Sequence, residues 1–182
     1  MNRSGAGNSR GRQCQQIDRP RASIIHLESE RKTLVRSDAW RTACVWSVRL
    51  QDGLATATDG RKVQVRIADG TATLAVTGAR TGLSRDEIEY AFRIADAKRL
   101  MTRQCANQVV SKPLHFVVEA GVTFEVDVYD GLLEGIVIAE VELVSTEHDF
   151  PRPDWLGEEV TGRQDHRKSV MLQARLAAAE GT

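Results

Sequence analysis

A chain of 182 residues, 41% hydrophobic and 27% charged, suits one soluble domain with tails, and 25 basic residues against 25 acidic ones leave no net charge. No apolar run approaches the roughly 18 residues of a membrane span, and the N-terminus lacks the apolar middle of a secretory signal, so a cytoplasmic protein is expected. Cys14, Cys44 and Cys105 are odd in number and far apart, which points to neither a disulfide framework nor a zinc site.

Residues 1–23 set Arg3, Arg10, Arg12, Arg19 and Arg21 against Asp18 alone, with almost no apolar content. Such a stretch cannot bury enough surface to order itself, and it predicts a disordered basic tail. The tail's charge of +4 leaves the rest of the chain at −4, which argues against a nucleic-acid surface as its main business. From residue 24 the pattern is mostly period two. Runs at 24–35, 44–50, 62–68, 71–77, 86–92, 114–119, 122–129 and 136–144 predict about eight strands. Turn signals at Asp52-Gly53, Asp59-Gly60, Asp69-Gly70, Gly78 and Asp130-Gly131 punctuate them. Asp96 can cap a helix reaching about Ala106, and 165–179 predicts a C-terminal helix. The expected class is α+β, dominated by antiparallel sheet.

The strands share one oddity. In ESERK, Glu28, Glu30 and Lys32 are two apart and so point the same way in a strand. Glu87 and Glu89, Glu125 and Asp127, and Glu140 and Glu142 repeat the spacing, each pair opposed by apolar neighbours, and Gln64 and Arg66 do the same between valines. A half-exposed sheet also alternates polar and apolar, so the pattern leaves two readings open. Residue choice favours a cavity, because clustered carboxylates repel one another and strands disfavour them. Eight acids on four strands suit a sheet curled into a closed barrel whose interior takes divalent cations.

ESERK fits the ExExK signature that opens the CYTH superfamily, the triphosphate tunnel metalloenzymes. The stretches VQVRIADGTATLAVTG, SRDEIEYAF, FEVDVYDGLLEGIVIAEVEL and PDWLGEEVTG follow in family-like order and spacing. The chain resembles that superfamily over about residues 24–173, leaving 174–182 as the end of the C-terminal helix and a tail. The resemblance implies an eight-stranded antiparallel tunnel that binds a linear triphosphate or polyphosphate with Mg²⁺ or Mn²⁺. It implies metal ligation by Glu28, Glu30, Glu125, Asp127, Glu140 and Glu142, with Glu87 and Glu89 as tunnel-wall acids of the substrate site that orient basic partners or a second metal. It also implies that Lys32, Arg66 and Lys112 grip phosphate oxygens, Lys32 and Arg66 at the reacting phosphate.

Departures from the pattern fall on the basic side. Gln64 stands where the superfamily has the first base of an RxR pair, and Thr77 where a Lys ends the next strand. Leu114 stands where Lys112 would be followed by Arg, Gln51 and Leu54 replace an early Arg and Tyr, and no Arg-Tyr follows Asp165 and His166. All eight acids remain while about half of the bases are replaced, which implies a tunnel of negative balance. Three functions follow: a metal-dependent triphosphatase, weakened by these losses; a non-enzymatic binder of metal, nucleotide or polyphosphate; and a class IV-type adenylyl cyclase. No nucleic-acid or membrane partner is expected, and a homodimer is left open. The scattered histidines, the three tryptophans and Ser169 take no catalytic role in this reading.

Overall fold

The computed structural model describes residues 24–105, 108–143, 145 and 149–181. The basic N-terminal stretch, Cys14 and His148 lie outside the described residues. Among the described residues nine strands run in chain order: β1 (Ile24–Val35), β2 (Cys44–Thr58), β3 (Arg61–Ala68), β4 (Thr71–Thr77), β5 (Ser84–Ala91), β6 (Val109–Glu119), β7 (Val122–Val128), β8 (Val137–Glu142) and β9 (Leu156–Glu159). Two α-helices, α1 (Ile94–Leu100) and α2 (Lys168–Glu180), flank them. No described helix is long and apolar enough to cross a membrane.

The sheet order is β5-β4-β3-β2-β6-β7-β8-β1, and β1 pairs back onto β5, so eight antiparallel strands close into the expected barrel. β9 adds to β1 from outside the ring, pairing Thr33 with Glu159 and Val35 with Leu156. The residues around Trp155 continue into this short strand. Closure leaves no free edge among the eight strands, and register is fixed by which face is apolar. The turns do their part at Asp59-Gly60 and Asp69-Gly70, where all four residues have positive φ, between 43° and 77°. Hairpins of that hand match the strand twist.

One predicted turn is absent. Asp52-Gly53 lies inside β2, which runs 15 residues and bends at an irregularity between Leu54 and Thr56. Gly53 is there for space: a Cβ at that position would stand 2.8 Å from the Cys105 Sγ. Cys105 closes the π-helical turn (Met101–Cys105) that follows α1. The predicted helix is thus a short α-helix and this turn, which together press Ala97, Met101 and Cys105 onto Val65 and Ala72 outside the barrel.

A second core, on the opposite wall, gathers Trp40, Val117, Phe124, Val126, Phe150 and Trp155 under the 3-10 turn (Asp38–Ala43) and the loop before β9. A third sits at one barrel end. There α2 lays Met171 and Leu172 against Val110, Tyr129, Leu133 and Ile138. Val110 and Ile138 belong to the inward face, since they stand opposite Asp52 and Asp127 in the ladders. The helix therefore closes part of the interior with apolar side chains.

Candidate functional site

Register carries the inward face around the barrel without a break. Glu30 pairs with Glu142 and Lys32 with Glu140 across β1 and β8; Glu140 pairs with Glu125 across β8 and β7. Asp127 stands opposite Leu114 on β6, the inward neighbour of Lys112, and Lys112 stands opposite Leu50 on β2. Asp52 then faces Arg66, and Lys62 faces Thr77, which faces Glu87. Glu28 and Arg85 complete the ring across the β1–β5 seam, and Glu89 lies two residues beyond Glu87 on the same face. The strand alternation thus turns all eight acids of the i, i+2 pattern inward, together with Lys32, Arg66 and Lys112.

The cavity inside, about 430 Å³, opens at the barrel end where α2 begins. Its lining is not negative. Eight lysines and arginines line it, Lys32, Lys62, Arg80, Arg85 and Lys168 among them, against Glu30, Asp52, Asp59 and Glu140. Several of these bases are ones that the reading of the motifs did not single out. Lys62 is two residues before Gln64, Arg85 two before Glu87, Arg80 comes from the loop before β5, and Lys168 is the first residue of α2. Lys62 and Arg85 could have been read from the alternation itself. Arg80 and Lys168 carry no such signal, and Asp52 was hidden by its resemblance to a turn.

Most of these charges are paired. Lys32 donates to Glu140 at 2.5 Å and lies 3.3 Å from Glu30. Arg80 donates to Glu30 at 2.7 Å, and Arg85 bonds Glu28 and stands 3.3 Å from Glu30. Lys112 bonds Asp127, with the Tyr129 ring 5.2 Å from its ammonium. Asp52 accepts from Arg66 at 2.9 Å and from Lys168 at 2.9 Å. The Thr77 hydroxyl donates to Glu87 at 3.1 Å. Lys62 makes no ion pair among the described residues.

These surroundings set the protonation states. Burial works against the Glu28 carboxylate, yet the Arg85 hydrogen bond and charge hold it at about 2. Burial likewise opposes Glu140 and Asp52, but Lys32 and Lys168 keep the first well below the usual carboxylate range, and Lys168 and Arg66 the second. Burial and then the charge of Glu140 raise Glu30. Burial, with Arg85, Lys168 and Lys32 close by, pushes the Lys62 ammonium down to about 7. Burial and Lys168 bring Lys112 to about 8 in spite of Asp127.

Further along the barrel the acids outnumber the cations that reach them. Burial, then Glu140, Glu142 and Asp127, lift Glu125 to about 7. The Oδ1 of Asp127 is buried with no hydrogen-bond partner. Hard carboxylate oxygens, mutually repelling and short of protons to share, are a donor set that suits a divalent cation. Among the described residues no three His, Cys, Asp or Glu side chains stand gathered as ligands, because Glu28, Glu30, Glu140 and Asp127 are turned to Arg85, Arg80, Lys32 and Lys112. Among the described residues the side chains of Glu89, Glu125 and Glu142 and the Asp127 Oδ1 are without a hydrogen-bond or ion-pair partner.

No protein-family model matches the chain. It is 36% identical over 146 residues to the inorganic triphosphatase of Acetivibrio thermocellus, covering 80% of this chain and 93% of that protein. The inorganic triphosphatase of Nitrosomonas europaea is 29% identical over 147 residues, covering 79% and 95%. The crystal structure of an inorganic triphosphatase superposes with a TM-score of 0.58 at 26% identity, over 80% of this chain and 97% of that one. A solved Pyrococcus horikoshii protein shares the fold with a TM-score of 0.54 at 17% identity, over 82% and 98%. The extent of the first match and the closed barrel agree with the motif series, and the chain belongs to the family of these inorganic triphosphatases within the CYTH superfamily.

Proposed function

We propose that this protein hydrolyses a linear inorganic triphosphate inside its barrel, with Mg²⁺ or Mn²⁺. The observation that carries the reading is the cavity at the α2 end, where eight lysines and arginines, among them Lys32, Lys62, Arg80, Arg85 and Lys168, face one space of about 430 Å³. Lys62 there makes no ion pair among the described residues and sits among other cations, an arrangement that a polyanion would relieve.

In this reading Lys32, Arg66 and Lys112 hold phosphate oxygens, Lys32 and Arg66 nearest the reacting phosphorus, and Lys62, Arg80, Arg85 and Lys168 extend the cradle. Hydrolysis joins a water oxygen to the terminal phosphorus and breaks its bond to the bridging oxygen, which leaves with the diphosphate. Negative charge builds on the leaving oxygen, and fixed cations in a site with little water stabilise it strongly. Glu125, Asp127, Glu140 and Glu142 would hold a divalent cation, with Glu28 and Glu30 joining as their arginines turn to phosphate. Such an ion supplies charge neutralisation and lowers the pKa of a bound water. Glu87 steadies the wall through Thr77, and Glu89 lies on the same face.

Phosphate release from tripolyphosphate, with Mg²⁺ or Mn²⁺ and without, tests the reading. Metal-dependent release that Lys32→Met abolishes is the expected result. No release with either ion would end it.

A further inference from the structure

Asp52 stands apart from the acids of the i, i+2 pattern. It lies in the middle of β2, is 4% exposed, and faces the cavity floor. Its Oδ1 accepts from the Arg66 Nε at 2.9 Å, and its Oδ2 from the Lys168 Nζ at 2.9 Å and the Arg66 guanidinium at 3.5 Å. The Lys112 ammonium is 3.9 Å from the same Oδ2. One carboxylate therefore gathers three cations, from β3, β6 and α2. Without it those cations would repel one another, and Lys168 would have no polar tie to the barrel wall among the contacts described. Lys168 is also the residue at which α2 begins, so the carboxylate fixes the start of the helix that closes this end.

We propose that Asp52 is a positioning residue, an internal anion in the cavity wall that holds Arg66, Lys112 and Lys168 converged on one point, so that they act on a bound polyphosphate in one fixed arrangement. The inference rests on the phosphate reading given above. Position and charge make opposite contributions here. The carboxylate orders the cations, which serves the transition state, and it repels the bound anion, which weakens the ground state. Removing the charge should therefore tighten binding and slow turnover, a split that a merely structural acid would not produce.

The test compares wild type, Asp52→Asn and Asp52→Glu. Thermal unfolding checks the fold, calorimetry with tripolyphosphate in the absence of divalent ions gives Kd, and phosphate release with Mg²⁺ gives kcat and KM. For Asp52→Asn, kcat should fall by about tenfold while KM and Kd fall by roughly threefold or more, because one opposing charge is gone. Asp52→Glu keeps the charge and moves it by one methylene, so Kd should stay within about twofold while kcat drops. Folded variants with wild-type kcat, or a raised KM at unchanged kcat, overturn the inference. If Asp52→Asn does not fold, Asp52→Glu decides alone, and an undiminished kcat there overturns it. A wild type that neither binds nor hydrolyses tripolyphosphate removes the phosphate reading, and the inference with it; a wild type that does both while the variants match it removes only the role of Asp52.

Discussion

Lys62 faces the cavity beside Arg85, Lys168 and Lys32, and its ammonium titrates at about 7. A bound polyphosphate restores its affinity for a proton. Between about pH 7 and the ordinary lysine value near 10.4 the free protein has lost this proton and the complex keeps it. Tripolyphosphate binding near pH 8 should thus take up a proton, and binding well below pH 7 should not. Calorimetry in two buffers of different ionisation heat measures the uptake, and Lys62→Met should reduce it to the part owed to Lys112 and weaken binding about tenfold, the worth of one charge-assisted contact. Glu125 gives the opposite sign. Its folded value, about 7, lies above the unfolded value of 4.5, so its protonated form stabilises the fold and that contribution is lost as pH rises between the two. In the presence of a chelator, Glu125→Gln should raise Tm on the order of 3 °C near pH 8 and leave it unchanged near pH 4. Equal Tm values at pH 8 would show that the neighbouring acids do not strain this position. Glu125 was read in the sequence as an inward position of an alternating strand, and Lys62 could have been; their protonation was not legible, because it depends on charges that other elements bring within reach.

β2 shows where reading by local pattern stops. Asp-Gly is a good turn signal, and in three strands here the alternation and the turns agree. At Asp52-Gly53 the same pair serves tertiary needs: the acid collects cations, and the glycine admits the Cys105 side chain. Neither need is local, so no window of sequence could display it. Gly53→Ala would set a Cβ against Cys105 Sγ and Cβ, at 2.8 and 3.1 Å, and should cost about 1–3 kcal/mol by overpacking. Cys105→Ala added to it should return part of that loss in chemical denaturation, since it removes the nearer atom. β9 escaped prediction because four residues rely on β1 for their partner, whereas the eight ring strands carry their own alternation. α2 was legible as a helix, but its place over the barrel mouth was not. Leu172 is 4% exposed against Val110, Tyr129, Leu133 and Ile138. Leu172→Ala should lower stability by about 2–5 kcal/mol, read from urea midpoints at unchanged slope.

Taken as a whole, the barrel has two unlike ends. Lys62, Arg80, Arg85 and Lys168 meet at the end that opens beside α2. Glu125 and Glu142 lie toward the other, where Trp46 stacks on Phe116 with centroids 4.9 Å apart and Phe116 stands opposite Glu125 in the ladder. Trp46 is 54% exposed, so it can report on that end. Mn²⁺ added alone should quench its emission, and tripolyphosphate added alone should leave it near the starting value; Trp46→Phe should remove the quenching while Trp40 and Trp155 still emit. Quenching that survives the substitution would place the ion elsewhere. The lattice of ion pairs around the cavity has one more consequence. With Lys32, Arg66, Arg80, Arg85, Lys112 and Lys168 already matched to carboxylates, an incoming anion must exchange partners, as on a resin charged with its own counterions. Exchange rewards valence: a triphosphate displaces several carboxylates together, while a single orthophosphate can displace only one or two. Such a site sheds its monophosphate product without a separate opening step, and orthophosphate should inhibit tripolyphosphate hydrolysis only at concentrations far above the KM of the substrate.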